Sequence, residues 1–187
     1  MTSKEINEVK NRNLLSPVGF QFVIDRLPNV EYFTQKITLP GIFSTPISSP
    51  NPNVKIKYQG DSLNFEEFSV EFKVDEDLQN WLEIKNWMFG YTFPEKQQQF
   101  SNLKQGLNLP ANLKSNLLIP PKEGFLYSDA SIVILTNKHN ANFRFDFKDA
   151  FPVALSNIPM DVTNTGIDHV TATATFSYTR FDVEKIT

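Results

Sequence analysis

The chain has 187 residues, with 21 Asp and Glu against 18 Lys and Arg, 17 Phe and no Cys. That length suits one domain with a substantial core. A net charge of -3 argues against a nucleic-acid binder that works by charge neutralisation, and the lack of Cys excludes disulfides and thiolate metal sites.

No apolar run reaches the ~20 residues a membrane span needs. The opening stretch, Met-Thr-Ser-Lys-Glu-Ile-Asn-Glu-Val-Lys, is too polar for a signal peptide. The expectation is a soluble protein without an address signal. Residues 1–17 are charged and Asn-rich without a strand pattern, so they are assigned to an N-terminal arm. Residues 18–187 form the candidate β domain.

Residues 19–25 alternate, with Phe20, Phe22 and Ile24 on one face, and predict a strand. Leu27-Pro28-Asn29 predicts a turn, and residues 31–38 a second strand that stops at Leu39-Pro40-Gly41. Residues 42–52 are extended and broken by proline, which places them at an edge or in a loop. Val54, Ile56 and Tyr58 alternate with Lys55 and Lys57, a further strand ending at Gly60-Asp61.

Residues 65–90 carry the strongest local signal. Phe68, Val70, Phe72 and Val74 alternate with Ser69, Glu71 and Lys73, the period of a half-buried strand. At Asp75 the period changes. Leu78, Trp81, Leu82, Ile84, Met88 and Phe89 share a broad apolar arc at 3.6 residues per turn, with Lys85 inside the arc and Trp87 at its edge. Asp75 is the expected cap, Glu76 and Asp77 favour the positive end of the helix dipole, and Gly90 is the expected stop.

Residues 91–124 form a long segment with Pro94, Pro110, Pro120 and Pro121. Its leucines, Leu103, Leu107, Leu109, Leu113, Leu117 and Leu118, suggest that it packs on something. Residues 131–136 and the run Phe143, Phe145, Phe147 predict a hairpin around Asn137-Lys138-His139-Asn140. Residues 149–158 read as a short edge strand, and Asn164-Thr165-Gly166 as a turn. In the last strand Val170, Ala172, Ala174, Phe176 and Tyr178 face one way. Thr171, Thr173, Thr175, Ser177 and Thr179 face the other. The expected architecture is mainly β, an antiparallel sandwich or barrel of about seven or eight strands with one flanking helix.

The residues offer little chemistry. His139 falls in a turn and His169 opens a strand, so both read as surface residues rather than metal ligands. Asp75, Glu76 and Asp77 are explained by capping rather than calcium binding. There is no Gly-rich phosphate loop and no nucleophile elbow. No catalytic, cofactor or metal residue is assigned, and an enzyme is not expected. Trp81 reads as core. Trp87 is left between core, a sugar-stacking position and an interface. Lys55 and Lys57 read as a solvated face, or as a contact to phosphate or to a partner's carboxylates, and the hydroxyl face 171–179 as the wet side of a sheet rather than an ice- or sugar-binding ladder.

The order of these features resembles the tail tube proteins of contractile-tailed bacteriophages, the T4-like group in particular. The resemblance runs over residues 19–181, apart from 91–124. It is carried by Gln35-Lys36-Ile37-Thr38-Leu39-Pro40-Gly41, the Lys55/Lys57 strand with Gly60-Asp61, Phe65-Glu66-Glu67-Phe68-Ser69-Val70, Val74-Asp75-Glu76-Asp77, Phe147-Lys148-Asp149-Ala150-Phe151-Pro152-Val153 and Ala172-Thr173-Ala174-Thr175-Phe176-Ser177-Tyr178. The resemblance implies six subunits per ring and rings stacked into a tube. That tube lies within a sheath, on a baseplate, in a virion assembled in the host cytoplasm. DNA passes through it without specific binding, and related tubes serve type VI secretion. Part of the excess carboxylate is expected to line the channel. The arm 1–17, residues 39–53 and 91–124 are expected to reach neighbouring subunits. The long 91–124 segment keeps open a baseplate-proximal initiator or hub of the same fold. A carbohydrate- or receptor-binding sandwich is the alternative from another class.

Overall fold

The computed structural model describes residues 13–92, 94–104, 126–161, 163 and 169–186. Within them lie eleven strands and three helices, and every strand pair is antiparallel. The strands are β1 (Phe20–Ile24), β2 (Thr34–Thr38), β3 (Ile42–Ser44), β4 (Ile47–Ser49), β5 (Ile56–Tyr58), β6 (Leu63–Phe65), β7 (Phe68–Lys73), β8 (Ser128–Leu135), β9 (Ala141–Leu155), β10 (Thr171–Ser177) and β11 (Arg180–Lys185). The helices are α1 (Pro28–Phe33), α2 (Gln79–Thr92) and α3 (Gln98–Lys104). The expected mainly-β antiparallel fold is present, with two short helices beside the one anticipated.

Seven strands make one sheet that bends into two halves. Sheet I runs β1-β8-β9-β11, and sheet II runs β9-β10-β7-β2. The shared strand is β9. Its first part pairs with β8 and β11, and residues 151–155 pair with β10. Asp149, at φ 54, marks the bend. The predicted separate edge strand over 149–158 is thus the continuation of β9. The break in pattern around Asp149 is a kink within the strand, not an end. A register shift between Thr175 and Phe176 leaves a bulge opposite, beside Pro152, where a residue without an N–H is tolerated. The strand β11 was not foreseen. It follows β10 after Tyr178-Thr179, and Thr179 N–H donates to Lys148 O at 3.0 Å, so β10 and β11 track β9 around its bend.

Between the halves lies a core of phenylalanines. Phe68 sits 4.5 Å from Phe147 and stacks on Phe176 at 5.2 Å between ring centroids. The alternation predicted for β7 and β10 is obeyed: Phe68, Val70, Phe72, Ala172, Ala174 and Phe176 are all buried.

Helix α2 departs from its sequence reading at both ends. It starts four residues after Asp75, following a turn in which Leu78 takes φ 54. Asp75 still caps it, its carboxylate accepting the N–H groups of Gln79 and Asn80 at 3.1 Å. The buried Asn80 ties the helix to the strand before it, donating from Nδ2 to Lys73 O at 2.7 Å. Gly90 is not the stop but lies inside α2. There Leu103 of α3 presses so close that an added Cβ would meet it at 2.9 Å. The face also rotates. Ile84 and Trp87 are buried, whereas Leu82 and Phe89 are exposed and Trp81 is half-buried. The displaced start of the helix shifts every position relative to the sheet.

Residues 28–33, expected to hold a turn and the start of β2, wind into α1 with Pro28 at its first turn. Asn29 of α1 donates from Nδ2 to Glu83 Oε1 of α2 at 2.5 Å. Oε2 of Glu83 is buried without a hydrogen-bond partner among the described residues. Burial, reinforced by the nearby Asp75 charge and opposed by the Asn29 bond, pushes this carboxyl up to about 7. The expected turn at 164–166 and the leucines beyond residue 104 lie outside the described residues.

A raised carboxyl pKa means that the folded state binds the proton more tightly than the unfolded chain does. The stabilisation is complete below the unfolded value and is lost as pH rises through about 7. Replacing Glu83 with Gln is therefore expected to raise the melting temperature at pH 8 and to leave it nearly unchanged at pH 4. Thermal melts of both proteins across that range measure it; equal differences at the two pH values would contradict it.

Candidate assembly surface

Between β2 and β7 the chain leaves the body as a long hairpin, residues 39–66. It contains two short ribbons. β3 pairs with β6 near the body and β4 pairs with β5 at the far end. At its base Phe65 packs on Phe181 at 5.4 Å and on Tyr178 at 6.4 Å. The Tyr178 hydroxyl donates to Glu66 O at 2.8 Å. Its pKa is pushed up to about 12, by burial and then by the Glu66 charge, so it remains a donor. The residues predicted to be extended and off the central sheet are so.

The far ribbon is two-sided. Register places Ile47 opposite Tyr58 and Ser49 opposite Ile56, with Ser48 opposite Lys57 between them. One face therefore carries Ile47, Ile56 and Tyr58, and the other Ser48 and Lys57 with Lys55 in step. The apolar face is uncovered: Ile47 is 57% exposed, Tyr58 56% and Ile56 41%. A lone two-stranded ribbon is marginal in water. Its alternation has a purpose only if something else covers the apolar side.

Close packing also holds the two ribbons together. At Gly60 an added Cβ would lie 1.9 Å from the Thr45 carbonyl oxygen, across the junction between them. The Gly60-Asp61 pair was read as a turn; its glycine is required by this backbone approach.

The body exposes strand edges. Among the described strands β1 and β11 are the margins of sheet I, and β2 is a margin of sheet II. Strand β11 alternates as well. Phe181 and Val183 turn toward the inner side, where Phe181 packs on Phe147 at 5.6 Å. Arg180, Asp182 and Glu184 turn outward. The outer side of sheet I carries an ion-pair network: Arg144 to Asp146 at 2.7 Å and to Glu184 at 3.1 Å, and Lys148 to Asp129 at 2.7 Å. On the outer side of sheet II, Thr171, Thr173 and Thr175 face Lys73, Glu71 and Ser69. The two outer surfaces thus differ, one charged and one rich in hydroxyls.

The other candidates fall where their local chemistry puts them. His139, at φ 59, and His169 are both exposed and apart. Asp75 is a cap. Among the described residues no group of His, Asp and Glu is arranged to hold a metal. Trp87 is only 1% exposed; its indole Nε1 donates to Leu126 O at 3.0 Å and the Arg26 guanidinium lies 4.6 Å over its ring. Burial lowers the Arg26 pKa to about 10, so it remains a cation. Trp87 is thereby a core residue and cannot stack on a sugar. Strand β11 is the marginal strand that sequence reasoning missed. Its signal was present in the alternation Phe181, Val183 against Asp182, Glu184, but it was hidden by the preceding strand.

A family model described as phage tail tube protein matches residues 5–184. The chain belongs to the phage tail tube protein family. Solved structures share the fold at low identity. One is from the anti-feeding prophage cap, described as a tube terminating cap. It has a TM-score of 0.55 and 12% identity over 96% of this chain and 97% of that one. The sheath-tube complex of the extracellular contractile injection system PVC, in its extended state, gives a chain with a TM-score of 0.53 and 12% identity over 94% of each. The sheath/tube terminator of that system gives 0.51 and 13% over 93% of this chain and 99% of that one. No curated protein matches. Membership of this family makes the chain a structural tube protein.

Replacing Gly60 with Ala tests the hairpin. The body should keep its stability to within about 0.5 kcal/mol, as for a surface change, while assembly is lost. Thermal melting and sedimentation of the same samples measure the two effects; an equal loss of both would contradict a role confined to assembly.

Proposed function

We propose that the chain is the inner tube subunit of a contractile phage tail. Six copies close a ring, rings stack, and the hollow cylinder conducts DNA from the particle into the host. Residues 18–187 are the tube domain and the segment before them an arm toward neighbours. The sheath surrounds the tube and the baseplate starts it, with assembly in the host cytoplasm. The observation that carries this reading is the two-sided ribbon. It is an element with no covering partner among the described residues, in a chain whose family builds tubes. Association of copies covers apolar ribbon faces and completes strand margins that would otherwise invite uncontrolled pairing.

The conduit must not grip what passes. We assign part of the carboxylate excess to the channel wall.

A second reading, a baseplate-proximal initiator of the same fold, is favoured by the long 91–124 segment. Electron microscopy of the purified protein over a range of concentrations separates the two. A tube subunit gives six-fold rings that extend into tubes; an initiator stops at one ring. A monomer at every concentration would contradict both.

A further inference from the structure

Beside β11 the inner side of sheet I extends past the cover of sheet II. Ile134, Leu135, Phe143, Phe145 and Val183 line an open groove of about 880 Å³, together with Leu14 and Leu15 and with polar residues of the β8–β9 turn, Asn137, Lys138 and Asn140 among them. Val183 is 50% exposed there. Among the described residues the groove borders an unpaired strand edge on β11, and the far ribbon of the hairpin has an unpaired edge of its own on β5.

The two edges match on both sides. Strand β11 alternates Phe181 and Val183, followed by Lys185 at its end, with Asp182 and Glu184, preceded by Arg180. Strand β5 alternates apolar Ile56 and Tyr58 with Lys57, and Lys55 precedes it in step. Laying β5 against β11 with the apolar residues toward the groove sets Lys55 and Lys57 beside Asp182 and Glu184 on the outer side. The reverse facing would bury lysines in the groove and expose the apolar row. Period-two alternation therefore fixes the facing as well as the contact. The outer carboxylates are 58% and 64% exposed, and Arg180 and Arg144 already approach them, so they stand within reach of further cations. In this chain neither surface uses the other: Ile56 and Tyr58 remain exposed while the groove stands open.

We propose that β5 of one copy adds to β11 of a second copy as an extra strand of sheet I, with its ribbon's apolar face filling the groove beside it. The proposal rests on the tube reading and names the receiving surface for it. A contact between two different patches of one chain is head-to-tail, so it can propagate from copy to copy.

The absence of native cysteine makes a cross-linking test clean. Ile56→Cys and Val183→Cys proteins are mixed at assembling concentration and treated with a short bismaleimide. The expected product is a covalent dimer in the mixture but in neither protein alone; the protein with both changes gives a ladder. In parallel, Lys55→Glu with Lys57→Glu should raise the concentration needed for assembly on the order of tenfold or more. Adding Asp182→Lys with Glu184→Lys should restore it. Thermal melts verify that each variant is folded. Tubes without the cross-link and without charge rescue overturn this pairing while leaving the tube reading in place. A link confined to single chains shows the ribbon in its own groove and overturns it too. No assembly and no link at any concentration removes both readings.

Discussion

The constraint on which everything else depends is the bend shared by β9 and the β10–β11 run. Two long antiparallel neighbours kink together at Asp149 and Tyr178-Thr179, and so belong to two sheets at once. The fold closes because the inner residues at that bend are aromatic. Phe68, Phe147 and Phe176 meet across it, and Phe181 extends the cluster outward. Burial of each such ring is worth roughly 1.5–3 kcal/mol, and edge or stacked contacts add to that. Without the cluster there is no reason for a single sheet to fold back over itself.

That same bend decides what remains uncovered. Sheet I continues past the point where sheet II can cover it, so Phe143 and Val183 are left at the margin. The hairpin 39–66 is anchored on Phe181 and Tyr178, next to the bend, and projects from there. An unfinished inner surface and a projecting two-sided ribbon are thus products of one geometry. A monomeric protein would have blunted both with charge or proline on each face. Here most of the charge falls on one face of each strand, Lys185 at the end of β11 being the exception.

Much of this was legible in the sequence. Strands β1, β7 and β10 and the β8–β9 hairpin obey strict alternation because one side of each is core. The Lys55/Lys57 alternation was visible as well, although neither face of that ribbon is buried in the core. What failed did so at junctions. Asp75 was identified as a cap, but not that it would act across a four-residue turn, and so the buried face of α2 was assigned to Trp81 and Leu82 rather than Trp87. Gly90 was read as a stop because a glycine near a helix end usually is one, whereas its reason is the approach of Leu103. Asp149 hid a continuous strand, since backbone bends leave no hydrophobic trace. The candidate assembly surface could not be found by searching for chemistry, because it is made of ordinary residues in alternation.

The account's central claim is that surfaces unfinished in one copy are finished by another. Hydrogen–deuterium exchange of dissociated and assembled protein tests it most directly. Backbone amides of β4, β5 and β11 should exchange rapidly in the dissociated chain and slow by at least about tenfold on assembly, as strand edges gain partners. The β7 and β10 amides, already paired within one copy, should change little. Assembly that left the β5 and β11 amides as exposed as before would contradict the claim.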